Sequence, residues 1–175
     1  EIGCAGPIAG FIVALPTLIY GLSLSYVSPL LGIEGVNFGS SLILNICAEL
    51  VLGVDPQSTD LNINLHPIAF AGWIGMLVTA LNLIPIGQLD GGHIVFALSP
   101  KNHKWTGRLF FLALFPLGYF WTGWFFWAVM IVLVGFNTAP LLDEIEELGT
   151  LHRALGVVSI AIFLVTFIPI PFALL

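Results

Sequence analysis

The chain has 175 residues, of which 58% are hydrophobic and 8% charged, with a mean hydropathy of +1.06. Soluble domains carry about a quarter of their residues as Asp, Glu, Lys and Arg, so this composition excludes an ordinary water-soluble fold and predicts an integral membrane protein. The formal charge of -6 says little about partners, because four of the ten acids, Asp143, Glu144, Glu146 and Glu147, fall in one short segment, and the four Lys and Arg residues exclude nucleic-acid binding.

In chain order, residues 3–24 form an apolar stretch long enough to span a bilayer, which takes about 20 residues. Pro7 and Pro16 lie inside it and predict a kinked helix. Gly6 and Gly10, with Ala5 and Ala9 beside them, form a Gly-x-x-x-Gly face that lets another helix approach closely. Cys4 and Cys47 lie in apolar segments without Cys-x-x-Cys spacing and read as small buried hydrophobes. From 25 to 66 the helical pattern breaks at Ser28-Pro29, Gly32, Glu34-Gly35 and Asn37. Residues 40–54 are apolar, shorter than a span and interrupted by Asn45 and Glu49, which predicts an interfacial or re-entrant helix. Glu49 is either a second acid near a site or a carboxylate reaching the interface. Residues 55–64 are the most polar in the chain and read as an aqueous loop or short extended segment.

Residues 67–84 are the clearest spanning helix, with Pro67 at its start, where a missing N–H costs least. Ala71 and Gly75, with Gly72 and Ala80 nearby, offer a small-residue face to a neighbour. A short helix over 94–98 precedes the segment 99–108, which holds three of the four basic residues. By the positive-inside rule that segment faces the cytoplasm, or the stroma of a plastid. Residues 108–136 are aromatic and interrupted by Pro116, Gly118 and Thr122-Gly123; breakers at both ends of each half favour a hairpin of two short helices over one long span. An acidic segment, 137–150, and a last helix, 152–168, complete an all-α polytopic transmembrane bundle with a short re-entrant or extended piece, one membrane domain over 1–175.

The chemistry concentrates in residues 81–93, where a long apolar run ends on polar and helix-breaking residues. A carboxylate deep in an apolar chain is costly unless it pairs, meets water or binds a cation, which makes Asp90 the candidate functional residue. Asn82 and Pro85 end the helix and free backbone groups, and Gly91-Gly92 supply a supporting turn that leaves Asp90 near a polar cavity. Asn82 either bonds a substrate backbone or orients a catalytic group, or it satisfies freed carbonyls as a helix-ending amide. His66 and His93 have no partner at zinc spacing and read as hydrogen-bonding or rim residues, with His93 placed to support Asp90 from behind.

His66-Pro67-Ile68-Ala69-Phe70-Ala71-Gly72-Trp73, then Leu81-Asn82-Leu83-Ile84-Pro85 and Gly87-Gln88-Leu89-Asp90-Gly91-Gly92-His93, resembles the second signature of the site-2 protease family, the intramembrane zinc metalloproteases of peptidase M50. Ala5-Gly6-Pro7-Ile8-Ala9-Gly10-Phe11 is similar to that family's Gly-Pro-x-x-Gly helix. The resemblance covers residues 1–100 as a protease core, leaves 101–175 as additional C-terminal transmembrane helices, and is closest to bacterial and plastid-type members. It implies that Asp90 is the third protein ligand of a catalytic Zn2+, and that Asn82, Pro85 and Gln88 contact the substrate strand. The family's His-Glu-x-x-His signature is absent: the histidines are His66, His93, His103 and His152, and none is followed by Glu. The chain opens at Glu1 without Met, so it is expected to be the C-terminal part of a longer protein and inactive alone. An N-terminal zinc-binding helix is the partner expected against Gly6 and Gly10. The remaining partners are the lipid bilayer and a transmembrane protein substrate, in a bacterial inner membrane or a plastid membrane. In the implied reaction, zinc held by two histidines of that helix and by Asp90 activates water for attack on a peptide carbonyl. Two alternatives remain: a non-proteolytic membrane adaptor or chaperone of the same fold, and a small transporter with Asp90 and Asn82 lining its path.

Overall fold

The computed structural model describes residues 2–29, 36–54, 61–134 and 149–174. Among these it has seven helices and four short strands: α1 (Ile2–Ser23), β1 (Tyr26–Pro29), β2 (Val36–Phe38), α2 (Leu42–Leu52), β3 (Leu61–Asn64), α3 (Pro67–Asn82), α4 (Asp90–Leu98), α5 (His103–Phe120), α6 (Gly123–Val134), α7 (Thr150–Thr166) and β4 (Phe172–Leu174). The described residues are mostly helical, and among them one helix, over Gly3–Ser23, is long and apolar enough to cross a membrane. The helix α1 runs unbroken through Pro7 and Pro16. Within the aromatic stretch expected over 108–136, the described residues to 134 form a hairpin, with α5 and α6 separated at Trp121 and Thr122. Residues 55–60 of the polar stretch, and the acids of 137–150, lie outside the described residues.

Two compact units share the chain, one of residues 9–80 and 164–175, the other of residues 1–8 and 81–163. In the first, α1 and α3 run antiparallel with their backbones in contact. Gly21 abuts the Ala69 backbone and Gly72 the Leu18 backbone, while a Cβ on Gly75 would stand 2.9 Å from that of Ala14. The pairing ends with Gly10, where an added Cβ would lie 3.0 Å from the Thr79 hydroxyl. The small-residue face expected of 67–84 is thus Gly72 and Gly75, and Ala71 is exposed. The Thr79 hydroxyl donates to the Gly75 carbonyl at 2.8 Å, satisfying itself within its own helix.

Helix ends in this unit are closed by side chains. Ser41 caps α2 by accepting from the Leu44 N–H, and Gly53, at φ 66°, ends that helix with its N–H on the Glu49 carbonyl. His66 accepts the Ile68 N–H at 3.3 Å, so its imidazole caps α3. The expected break at 25–66 contains an antiparallel pair, β1 with β3, registered from Tyr26 opposite Asn64 to Pro29 opposite Leu61. The second pair, β2 with β4, was not signalled by any alternating pattern in the sequence. Beside it Phe38, Phe70, Trp73 and Phe172 form a ring cluster with centroids 4.9 to 6.1 Å apart. The Trp73 indole N–H donates to the Gly39 carbonyl at 2.8 Å. Cys47 is buried with Leu18, Leu22 and Met76 in the same core, as a small hydrophobe.

Trp73→Phe keeps the ring packing but strands the Gly39 carbonyl, at a cost of about 1–2 kcal/mol. The expected outcome is a lower unfolding temperature of the detergent-solubilised protein, and an unchanged one would show that the indole bond contributes nothing.

Candidate functional site

In the second unit the chain reverses direction over residues 83–89, between the end of α3 and the start of α4. Leu83, Ile84, Pro85, Ile86 and Gly87 are all buried. Buried backbone must find partners at short range. The Ile84 N–H donates to the Leu81 carbonyl at 3.3 Å, the Ile86 N–H reaches across Pro85 to Ile84 at 2.8 Å, and the Leu89 N–H meets Ile86 at 3.2 Å. Gly87, at φ 54°, takes the left-handed conformation that the reversal needs. Leu89 is extended and precedes Asp90, the first residue of α4.

The helix begins four residues earlier than the 94–98 expected from the sequence, which corrects the role assigned to Gly91 and Gly92. They are helical rather than a turn. Their missing Cβ atoms let the buried reversal lie directly on the first turn of α4. A Cβ on Gly91 would collide with the Leu83 carbonyl, and one on Gly92 with the Gly87 carbonyl. An acidic residue in the first turn also complements the helix dipole, which offsets the low helix propensity of two glycines.

Asp90 points its carboxylate at the N-terminal part of α1. A Cβ placed on Gly6 would be 3.5 Å from Oδ2, and one on Gly3 would be 3.1 Å from the His93 Cβ. Of the Gly6 and Gly10 pair expected to receive an outside helix, Gly6 lies against α4 and, in the other unit, Gly10 lies against α3. His93 is exposed, anchored through its N–H to the Leu89 carbonyl at 3.2 Å, and close enough to act electrostatically on Asp90. Asn82 and Gln88 are exposed on either side of the reversal. Pro85 is buried, and its carbonyl lies 3.5 Å from where a Cβ on Gly107 would stand, so it packs against α5.

Sequence reasoning missed His103. It sits in the basic segment 99–108, where a solvated side chain is expected, yet it is buried at 5% exposure. The ring meets Phe96 edge-on, with centroids 5.4 Å apart, and is hydrogen-bonded to the Gly92 backbone. That bond raises the ring's basicity, so the imidazole N–H donates to the Gly92 carbonyl. Burial is the larger influence and lowers the imidazole below its ordinary range, with the charges of His93 and Lys104 acting the same way. The available signal was the spacing of His103 and Gly107, one helical turn apart on the face that α5 buries.

Zinc needs three or four N, O or S donors in a tetrahedral set. Among the described residues no three His, Cys, Asp or Glu side chains converge as such a set. Asp90 fits as one oxygen ligand, but these residues do not hold zinc by themselves. Cys4 and His152 line a separate small cavity of about 30 Å³, beside Ile94, Ala97 and Leu98.

The sequence profile of peptidase family M50 matches residues 1–112. Over 176 residues the chain is 28% identical to the probable zinc metalloprotease EGY1, chloroplastic, of Arabidopsis thaliana, covering 97% of this chain and 32% of that protein. It is 32% identical over 177 residues to the probable zinc metalloprotease EGY2, chloroplastic, of Oryza sativa subsp. indica, covering 98% and 32%. It is also 33% identical over 106 residues to the DDT domain-containing protein PTM of Arabidopsis thaliana, covering 58% of this chain and 6% of that one. The chain spans about a third of the length of the metalloproteases it matches. No solved structure matches it.

Two outcomes test this geometry. Gly91→Ala forces a Cβ onto the Leu83 carbonyl and destabilises the protein by about 1–3 kcal/mol. Gly107→Ala, which makes only ordinary contact, is neutral or stabilising by about 0.5–1 kcal/mol through helix propensity; the pair is compared by thermal unfolding. The second concerns pH. His103 takes up its proton at lower pH in the folded than in the unfolded chain, where it titrates near about 6.5. Its contribution is complete above that value and is lost as pH falls through the folded value. Unfolding temperature should therefore drop more steeply from pH 7 to pH 5 in the wild type than in His103→Gln, and identical slopes would contradict the assignment.

Proposed function

The chain belongs to peptidase family M50, and from that membership we propose that it is part of a zinc-dependent intramembrane endopeptidase, to which it contributes Asp90 as a zinc ligand. The substrate is a transmembrane protein, and the bilayer surrounds a polytopic bundle built from these helices. The observation that carries the reading is the placement of Asp90. Its carboxylate heads α4, sits on a tightly packed reversal and faces a glycine of α1 within the family-matched region.

The remaining donors come from a His-Glu-x-x-His segment outside these 175 residues, because the chain has none. Alone, it is inactive and holds zinc weakly, since one carboxylate makes a poor site. The metal, when bound by the complete set, supplies Lewis acidity for peptide hydrolysis. This chain's own residues orient the reactants: Asn82 and Gln88, exposed beside Asp90, hydrogen-bond the substrate backbone, and His93 steadies the carboxylate from one turn away. The β1–β3 pair offers hydrogen-bonding edges for an unwound substrate, as strand addition requires. The basic segment 99–108 puts Asp90 toward the cytoplasmic or stromal side. The chloroplastic designation of the metalloprotease relatives supports a plastid-type membrane over a bacterial inner membrane.

The similarity to PTM, whose name carries no protease designation, favours one second reading, a non-proteolytic adaptor or chaperone of the same fold. Zinc content and cleavage of a model transmembrane substrate by the full-length protein separate the two. Asp90→Asn should lose both metal and cleavage while remaining folded. Retention of both removes the ligand assignment, and absence of zinc from the wild type favours the adaptor.

A further inference from the structure

The carboxylate of Asp90 is only as well aimed as the first turn of α4. That turn is held from above by the reversal lying on Gly91 and Gly92, and along its axis by the His93 N–H on the Leu89 carbonyl. The third support is α5. Its buried face, His103 and Gly107, reaches both the reversal and α4: Gly107 lies under the Pro85 carbonyl and the Ile86 Cα, and the His103 ring is bonded to the Gly92 backbone.

A buried imidazole is costly unless it is hydrogen-bonded, and Leu, Met or Phe would fill the same space without that cost. Packing alone does not call for a histidine. A donor does, because a carbonyl in the first turn of a helix can accept a second bond beside the one from its own helix.

We propose that His103 is a positioning residue for the Asp90 site, fixing the first turn of α4 through the Gly92 carbonyl so that the Asp90 carboxylate keeps one orientation. The assignment rests on the reading of Asp90 as a zinc ligand. It explains why a histidine stands in the basic segment with its ring turned inward. It also makes α5, which carries none of the residues that resemble the family signatures, a part of the site.

The test uses the full-length protein in lipid nanodiscs, with His103→Leu removing the donor, His103→Gln retaining a side-chain N–H, and Asp90→Asn as reference. Zinc affinity is read by chelator competition, cleavage as kcat and KM separately, and local order by hydrogen exchange at the amides of residues 91–94. Loss of a group that orients a metal ligand weakens metal binding or activity by about 10–100-fold. His103→Leu should therefore weaken zinc binding and lower kcat by at least about tenfold on that scale. Its KM should stay within twofold, and exchange at 91–94 should quicken while α3 exchange over 72–80 stays as in the wild type. His103→Gln should recover most of each effect. Wild-type zinc affinity, kcat and exchange in His103→Leu overturn the proposal. So does a His103→Gln variant as impaired as His103→Leu with protection lost throughout, which marks a general packing role. Retained zinc and cleavage in Asp90→Asn removes the ligand reading itself, and the proposal with it, whatever the His103 variants do.

Discussion

Backbone-to-backbone contact, permitted only where a side chain is missing, is the constraint on which both units rest. In lipid, apolar side chains gain little by leaving one apolar surrounding for another, so helices associate through close packing and hydrogen bonds. Gly21 and Gly72 bring α1 and α3 together to the point where a methyl group has no room, and Gly91 and Gly92 do the same for the reversal on α4. The two cases differ in what they hold. The α1–α3 contact fixes two long helices, whereas the α4 contact fixes a seven-residue reversal that ends on a carboxylate.

Polar groups follow the same economy. Thr17, Thr79 and Ser159 donate to carbonyls four residues behind them, so each hydroxyl is satisfied without a partner helix. The histidines divide by environment: His66 caps α3, His93 is exposed beside Asp90, and His103 is buried against Phe96 and Gly92. None of these three needs a metal to account for its position. Asp90 stands apart from them, at the head of α4 with its carboxylate against Gly6 of α1.

Much of the helical framework was legible in the sequence because long apolar runs with breakers leave few alternatives. The α5–α6 hairpin follows from Pro116, Gly118 and Thr122-Gly123, and α3 from Pro67 and the polar cluster at its end. What was not legible depended on contacts between distant segments. The β2–β4 pair joins Val36–Phe38 to Phe172–Leu174, and no local pattern announces three residues that pair across most of the chain. Gly91-Gly92 read as a turn because propensity is local, while the packing that keeps them helical comes from Leu83 and Gly87. His103 was hidden by its charged neighbours Lys101, Lys104 and Arg108, which stay exposed while the ring turns inward. The candidate ligand itself was visible, since a lone carboxylate after a long apolar run is costly wherever it stands.

The position of Asp90 at a helix N-terminus has a consequence for metal binding. The partial positive charge there, about half an elementary charge, already stabilises an ionised carboxylate. A metal ligand must be deprotonated to bind, and the dipole favours that form while burial of the carboxyl opposes it. The same partial charge repels a cation, so a carboxylate at a helix start is a moderate donor that cannot retain zinc alone. In the proposed role it would close a set begun by stronger nitrogen donors. On the proposed reading, a site divided in this way would keep the metal only when both parts are assembled, and the stiffness of the reversal beneath Asp90 would decide how well the last donor fits.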